Sequence, residues 1–397
     1  MDRTISRRGR RRKSRLHSKG IRRVPSASAS LEGTRRWPRR HHLWVGKSRG
    51  FPGECWRGHR LAFDLLENGL TACGSDNRSR VRRFKGWAGV SKDCGSPEDW
   101  GRTNYGKPLF ATLPERDLIA EDIVYDDATN RFLVSSVRHR KIVSVSMEGK
   151  VADFVPEGEW PILALASDST RRILWATAVA LPEGLSHIAA DEGKSALLKF
   201  NLDSGKLLKR YDLPLGEKHE LGDMTLSKTG EVYVSDELGS VYVFDQTQDR
   251  IDVLIGPGTF RSPQTPALSP DGRLLFVPDY SRGIGIVNLA TKKCKLLAHP
   301  PDLSLGGIDG LYLAGRTMIA IQNGTAPERL IRMHLNAELT YVLGWETIEA
   351  NWKGLGDPTH GVLVGSQFYF IANSGWDVKP GGTFETATIR AMSWKGL

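Results

Sequence analysis

From about Lys107 onward the chain alternates short apolar runs with polar punctuation: EVYVSD, LLFVPD and QFYFIAN are set off by the pairs DG, TG, NG and SG. Period-two alternation predicts strands, and the Gly-, Asn- and Asp-bearing pairs predict the turns between them. One unit recurs six times, consisting of an apolar strand, a polar turn, a second apolar strand and then a third. The copies are DIVYDDATNRFLVSSV, LALASDSTRRILWATA, DMTLSKTGEVYVSDE, ALSPDGRLLFVPDYS, LYLAGRTMIAIQNG and VLVGSQFYFIANSG. Anchored at the start of the second strand, they fall at Arg131, Arg172, Glu231, Arg273, Thr317 and Gln367, with steps of 41, 59, 42, 44 and 50 residues. Four-stranded repeats of about 40 to 50 residues are the mark of a β-propeller.

Two-faced third strands follow in SVYVFD and GIGIVNL, and VLIGPG and CKLLAHP fit short outer fourth strands. The sixth unit reaches a third strand in TATIRAMSW with no sequence left for a fourth, whereas KPLFATL at residues 107–113 precedes the first unit without a partner. Pairing these two ends would remove the exposed sheet edge that otherwise invites association. The expectation is an all-β, six-bladed propeller closed by an N-terminal strand on the C-terminal blade. The long second step comes from ALPEGLSHIAADEGKSALLKF, which reads either as a surface loop or as a lid over the channel mouth.

Charge divides the chain in two. Residues 1–105 carry 26 Lys+Arg and 9 Asp+Glu of the chain's 56 and 45, leaving 30 and 36 for residues 106–397, so the propeller region is mildly acidic. The basic segment (RRGRRRKSRLHSKGIRR, RRWPRRHH, SDNRSRVRRFK) has no sustained period and too little apolar content to build a core. Three readings stand for it: a polyanion-binding tail, a targeting segment, or upstream sequence never translated in the cell. Its best apolar run, LAFDLLENGLTA, is broken by Asp64 and Glu67, which argues against a secretory signal. No methionine occurs between Met1 and Met147, so a late start would use another codon, near Val81 or Val90. No transmembrane helix is expected, nucleic acid is the least favoured partner, and the compartment stays open between cytoplasm and export. Three of the four cysteines (Cys55, Cys73, Cys94) precede residue 95, so the propeller has the single thiol of Cys294 and no disulfide framework of its own.

In a propeller the first strand of each blade lines the central channel. Counting back from the anchors places Glu121, Ile162, Gly222 beside Asp223, Gln264, Asp309 and His360 at the channel ends of these strands. Polar residues at strand starts also serve as turn caps. Two carboxylates and a carboxamide oxygen converging on one axis form a hard-oxygen site suited to Ca2+ or a similar divalent cation. Glu121, Gln264 and Asp309 are thus the expected metal ligands. His360 is the candidate general base, and Asp309 shares the catalytic role. Asp223 is a secondary candidate, since strand alternation points it away from the axis unless the backbone shifts. Asp236, Asp279, Asn323 and Asn373, at the ends of second strands, read as turn formers or as further ligands. His219, just before a channel strand, reads as structural or as facing the mouth. Ser135, Ser136 and His139 are close in sequence but carry no triad reading, and Trp160, Trp175 and Trp376 read as packing between blades. Over residues 106–397 no G-x-S-x-G, Walker, H-E-x-x-H or EF-hand motif occurs.

LPERDLIAEDIVYD, HELGDMTLSKTGEVYVSD, SPQTPALSPDGRLLFVPDYSRG, GIDGLYLAGRTMIAIQNG and FYFIANSGWD, in this order and spacing over residues 107–397, resemble the gluconolactonase, regucalcin and lactone-hydrolase group of calcium-dependent six-bladed propellers, related to paraoxonase and strictosidine synthase. The resemblance implies a central divalent cation held by a Glu opening the first blade, an Asn in each of two middle blades and an Asp opening a later one. Glu121 and Asp309 match the acidic positions, whereas the two Asn positions hold Gly222 and Gln264. The expected function is metal-dependent hydrolysis of a small-molecule lactone or related ester. The alternative is a non-catalytic propeller with a degenerate metal site that binds a small ligand or a protein partner, and Gly222 favours this alternative.

Overall fold

The computed structural model describes residues 106–214, 217–379 and 381–394. The expectations for the basic segment 1–105, and for its boundary with the propeller, lie outside those residues. Every described residue belongs to one compact unit. In chain order, β1 is Leu109–Thr112. It is followed by β2 Ala120–Asp126, β3 Arg131–Ser136, β4 Lys141–Ser146 and β5 Val151–Val155, and then by β6 Ile162–Asp168, β7 Ile173–Val179, β8 Ser195–Asn201 and β9 Leu207–Asp212. The third and fourth sets are β10 Leu221–Leu226, β11 Val232–Asp236, β12 Ser240–Asp245 and β13 Arg250–Ile255, and β14 Ala267–Leu268, β15 Leu274–Asp279, β16 Gly283–Asn288 and β17 Cys294–Leu296. The last two are β18 Ile308–Ala314, β19 Thr317–Gln322, β20 Arg329–Leu335 and β21 Val342–Ala350, and β22 Gly361–Val364, β23 Gln367–Ile371 and β24 Thr388–Ser393.

These strands form six four-stranded antiparallel sheets, five of them from consecutive strands and the sixth in the order β1-β24-β23-β22. The fold is the six-bladed β-propeller expected from the repeat. β1 pairs with β24 (Thr112 opposite Thr388), so the two ends of the propeller share one blade. Six apolar clusters fill the six spaces between neighbouring blades, including the one between the last blade and the first, where Phe132, Tyr369 and Ile389 meet.

The burial of each strand follows from its place in the blade. The second strands β3, β7, β11, β15, β19 and β23 are buried almost without interruption, because both faces pack against a neighbouring blade. The outer strands β5 and β9 are mostly exposed at the rim. The hairpin turns before β3, β11 and β23 each place one residue at positive φ: Asn130 at 51°, Gly230 at 102° and Gly365 at 60°. Cys294 on β17 is disulfide-bonded, so the one thiol expected in the propeller is not free. Among the described residues no helix is long and apolar enough to cross a membrane.

Candidate functional site

The channel ends of the first strands are not regular. The pairing of β2 with β3 shifts between Ala120 and Ile123, that of β6 with β7 between Ile162 and Leu165, and that of β10 with β11 between Leu221 and Met224. A bulge sets two residues against one and re-aims their side chains. The extra residues are Glu121–Asp122, Leu163–Ala164 and Gly222–Asp223. Strand alternation alone would turn Asp223 away from the axis, but the bulge brings it into the channel cluster.

A hydroxyl from the neighbouring second strand fixes the first two of these bulges. Ser135 Oγ accepts the Asp122 N–H (2.9 Å) and donates to Leu163 O in the next blade (2.5 Å). Thr177 Oγ1 repeats this with the Ala164 N–H (2.9 Å) and Gly222 O (3.1 Å), and Ser235 Oγ donates to Gln264 O (2.8 Å). Ser135 and Thr177 thereby satisfy the N–H that the bulge removes from the ladder, and all three hydroxyls stitch one blade to the next. Just before the first bulge, Ile119 has φ 44°, a conformation that costs a β-branched residue free energy and occurs where surrounding structure enforces it.

His360, 1% exposed, lies at the centre of the cluster. Its Nε2 is 2.9 Å from Asp223 Oδ1 and 2.8 Å from Thr265 Oγ1, and its Nδ1 is 2.8 Å from Glu121 O. Residues of the first, third, fourth and sixth blades thus converge on one imidazole. Asp122 Oδ2 accepts the Leu165 N–H (2.6 Å) and its Oδ1 the Ile123 N–H (2.7 Å). Asp309 Oδ2 accepts from Asn323 Nδ2 (2.7 Å), and Asn323 Oδ1 accepts from the Tyr280 hydroxyl (3.0 Å). The Trp376 indole N–H donates to Glu121 Oε2, so Trp376 touches the site as well as packing between blades.

The electrostatics follow from this crowding of acids. Burial alone would pull the His360 imidazole down, but Asp223, followed by Asp122 and Asp309, outweighs it and holds the group well above the usual histidine range. Burial pushes the Asp122 carboxyl up to about 7, against the pull of His360 and the Leu165 N–H. Burial, reinforced by Asp122, Asp223 and Asp309, likewise raises the Tyr312 phenol well above its ordinary value.

Glu121, Asp223 and His360 each offer a ligand atom, all within 4.8 Å of one another, and all three residues are buried. Asp223 Oδ2 is buried and has no hydrogen-bond partner among the described residues. A buried, unsatisfied carboxylate oxygen beside a second carboxylate and an imidazole forms a group that could hold a metal ion.

The other residues singled out in the sequence are placed as follows. Gln264 lies ahead of β14, its amide nitrogen donating to Ser262 Oγ (3.0 Å). Asp279 caps the turn after β15, accepting the Arg261 N–H (2.7 Å) and the Ser281 hydroxyl (3.0 Å). Asn373 ties the closing blade, accepting the Thr388 N–H (2.8 Å) and donating to Thr386 O (2.9 Å). His219 is buried and sits 2.9 Å from Asp236 Oδ2 through Nδ1. Asp122 and Thr265 were missed. Their signal was present as two consecutive polar residues at a strand start, AED and PQT, where a regular strand would send one of them to the opposite face.

No protein-family model matches the chain, and no curated protein does. Solved structures share the fold. A putative oxidoreductase (glucose dehydrogenase) from Thermus thermophilus is 15% identical with a TM-score of 0.51, over 73% of this chain and 100% of that one. The PQQ-bound aldose sugar dehydrogenase of Streptomyces coelicolor is 13% identical with a TM-score of 0.50, over 72% and 97%. Luciferin-regenerating enzyme is 11% identical with a TM-score of 0.50, over 72% and 92%. At these identities the likeness is one of fold alone.

Proposed function

We propose that the chain is a metal-dependent hydrolase of a lactone or related ester, acting at the channel end where the first strands begin. The observation that carries this reading is the unsatisfied Asp223 Oδ2 inside the buried Glu121–Asp223–His360 group. These three residues would hold a divalent cation, with the His360 ring giving up its Nε2 proton as the ion binds. Two carboxylates suit calcium, while the imidazole extends the choice to manganese or zinc. When bound, the cation would polarise the ester carbonyl and favour a hydroxide-like water.

The chain's own residues supply positioning and proton transfer. Trp376 holds the Glu121 carboxylate, and Thr265 and the Glu121 carbonyl hold the His360 ring. Asp309, oriented by Asn323, takes the proton of the attacking water as its oxygen bonds to the carbonyl carbon. The proton then passes to the alkoxide oxygen released when the C–O ester bond breaks. Gln264, next to Thr265, remains a candidate further oxygen donor. The enzymes of the same fold named above make chemistry the first thing to test. Glu121→Gln and Asp309→Asn should each abolish metal-stimulated hydrolysis across a panel of aliphatic lactones and aryl esters. Unchanged hydrolysis in both variants would refute the assignment.

One observation favours the second reading, a non-catalytic propeller. The His360 imidazole, held well above the usual histidine range by Asp223, Asp122 and Asp309 against its burial, lies 2.9 Å from Asp223 Oδ1 and serves as that carboxylate's partner in place of a metal. In that case the metal group is degenerate, and the mouth serves as a binding surface for a small ligand or a protein.

A further inference from the structure

We propose that His219 is a proton-accepting residue in a second small-ligand site, at the edge of the mouth between the second and third blades, and that this site takes a polyhydroxylated molecule. The inference stands apart from the hydrolase reading, since none of Glu121, Asp223 and His360 lines the cavity concerned.

His219 is held from three sides. Its N–H donates to Gly193 O (2.8 Å), its carbonyl accepts from Ser195 Oγ (2.8 Å), and its Nδ1 lies 2.9 Å from Asp236 Oδ2 and 3.3 Å from the Tyr242 hydroxyl. Asp236 is fixed in turn by the N–H groups of Glu220 and Leu238, both at 3.0 Å to Oδ1. A carboxylate at Nδ1 places the ring proton there and leaves Nε2 with its lone pair. Nε2 has no hydrogen bond among the described residues and is not sealed from solvent.

His219 lines a cavity of about 220 Å³ together with the apolar Leu213 and Pro214 and the charged Glu192, Lys194, Glu217 and Lys218. The volume is below the range of roughly 300–1,000 Å³ typical of drug-sized ligands, so the occupant is small. Carboxylates and an imidazole lone pair accept hydroxyl protons, while the ammonium groups donate to hydroxyl oxygens. Lys194 is engaged by Asp191 (2.6 Å) and Glu192 by His187 (3.3 Å), which pre-orients both side chains. A small molecule with several hydroxyls and C–H faces matches this lining, its hydroxyls meeting the charged groups and its C–H faces meeting Leu213 and Pro214.

The test is mapping of histidine acylation by diethyl pyrocarbonate on the whole protein at mildly alkaline pH, with mass-spectrometric readout. His219 should react through its accessible Nε2, more slowly than the exposed His299, while the fully buried His360 stays unmodified. Glucose at tens of millimolar should slow His219 several-fold and leave His299 unchanged. Asp236→Asn should slow His219 several-fold, because an amide donating to Nδ1 moves the ring proton to Nε2. A His219 that stays unmodified while His299 reacts would overturn the proposal, and reaction unaffected by glucose would overturn its ligand class. Both readings use the wild-type chain, so a variant that fails to fold leaves the test intact.

Discussion

Asp126, at the end of β2, shows how much one buried carboxylate does in this protein. Arg172 grips it with two nitrogens at 2.6 and 2.8 Å, and the Thr129 hydroxyl adds a third bond at 2.7 Å. Burial by itself would raise the carboxyl, yet the Arg172 and Thr129 bonds outweigh it and hold the group below its usual value. A depressed carboxyl contributes stability that is present above the unfolded value of about 4 and lost as pH falls through the folded one. Asp126→Asn should therefore flatten the fall of melting temperature between about pH 5 and pH 2, and cost about 3 kcal/mol at neutral pH. Melting curves against pH check both. Asp126 could be read from the sequence only as a turn residue, because the guanidinium that completes it arrives from the next blade. The same limit applies at the channel: Glu121 and Asp309 were legible as polar residues at strand starts, whereas the contacts among Asp223, His360 and Thr265 cross between distant blades.

The bulges are the element that converts a regular repeat into a site. Four first strands carry this irregularity, over Glu121–Asp122, Leu163–Ala164 and Gly222–Asp223 and at Asp309. Period-two reading locates such strands but sends Asp223 to the wrong face, since it assumes an unbroken ladder. Thr177 tests whether the stitching hydroxyls hold the bulges. Thr177→Val keeps the shape but leaves the Ala164 N–H and Gly222 O without their partner, at a cost of about 1–3 kcal/mol by urea unfolding. Because Gly222 and Asp223 form the next bulge, the same variant should weaken metal binding although it touches no ligand. The insertion between β7 and β8 joins a second strand to a third, and antiparallel order puts that connection at the channel end where the first strands begin. Its Leu185 N–H is tied to Arg138 O (2.8 Å) in the first blade.

At the scale of the whole molecule, six apolar seams and one shared blade close the ring, and all of this was legible from spacing and alternation. The repeat is strong because each blade buries both faces of its middle strands, so every copy must keep the same apolar pattern. What the ring encloses was only partly legible, since function rests on a few residues at the axis rather than on the fold. Calorimetric titration of the whole protein with calcium, manganese and zinc shows whether Asp223 completes a metal group. Binding of at least one of the three is expected, weakened at least about tenfold (about 1.4 kcal/mol) in Asp223→Asn with the fold retained. A folded wild-type protein that binds none of them would contradict that assignment, and would leave the His360 imidazole as the partner of Asp223.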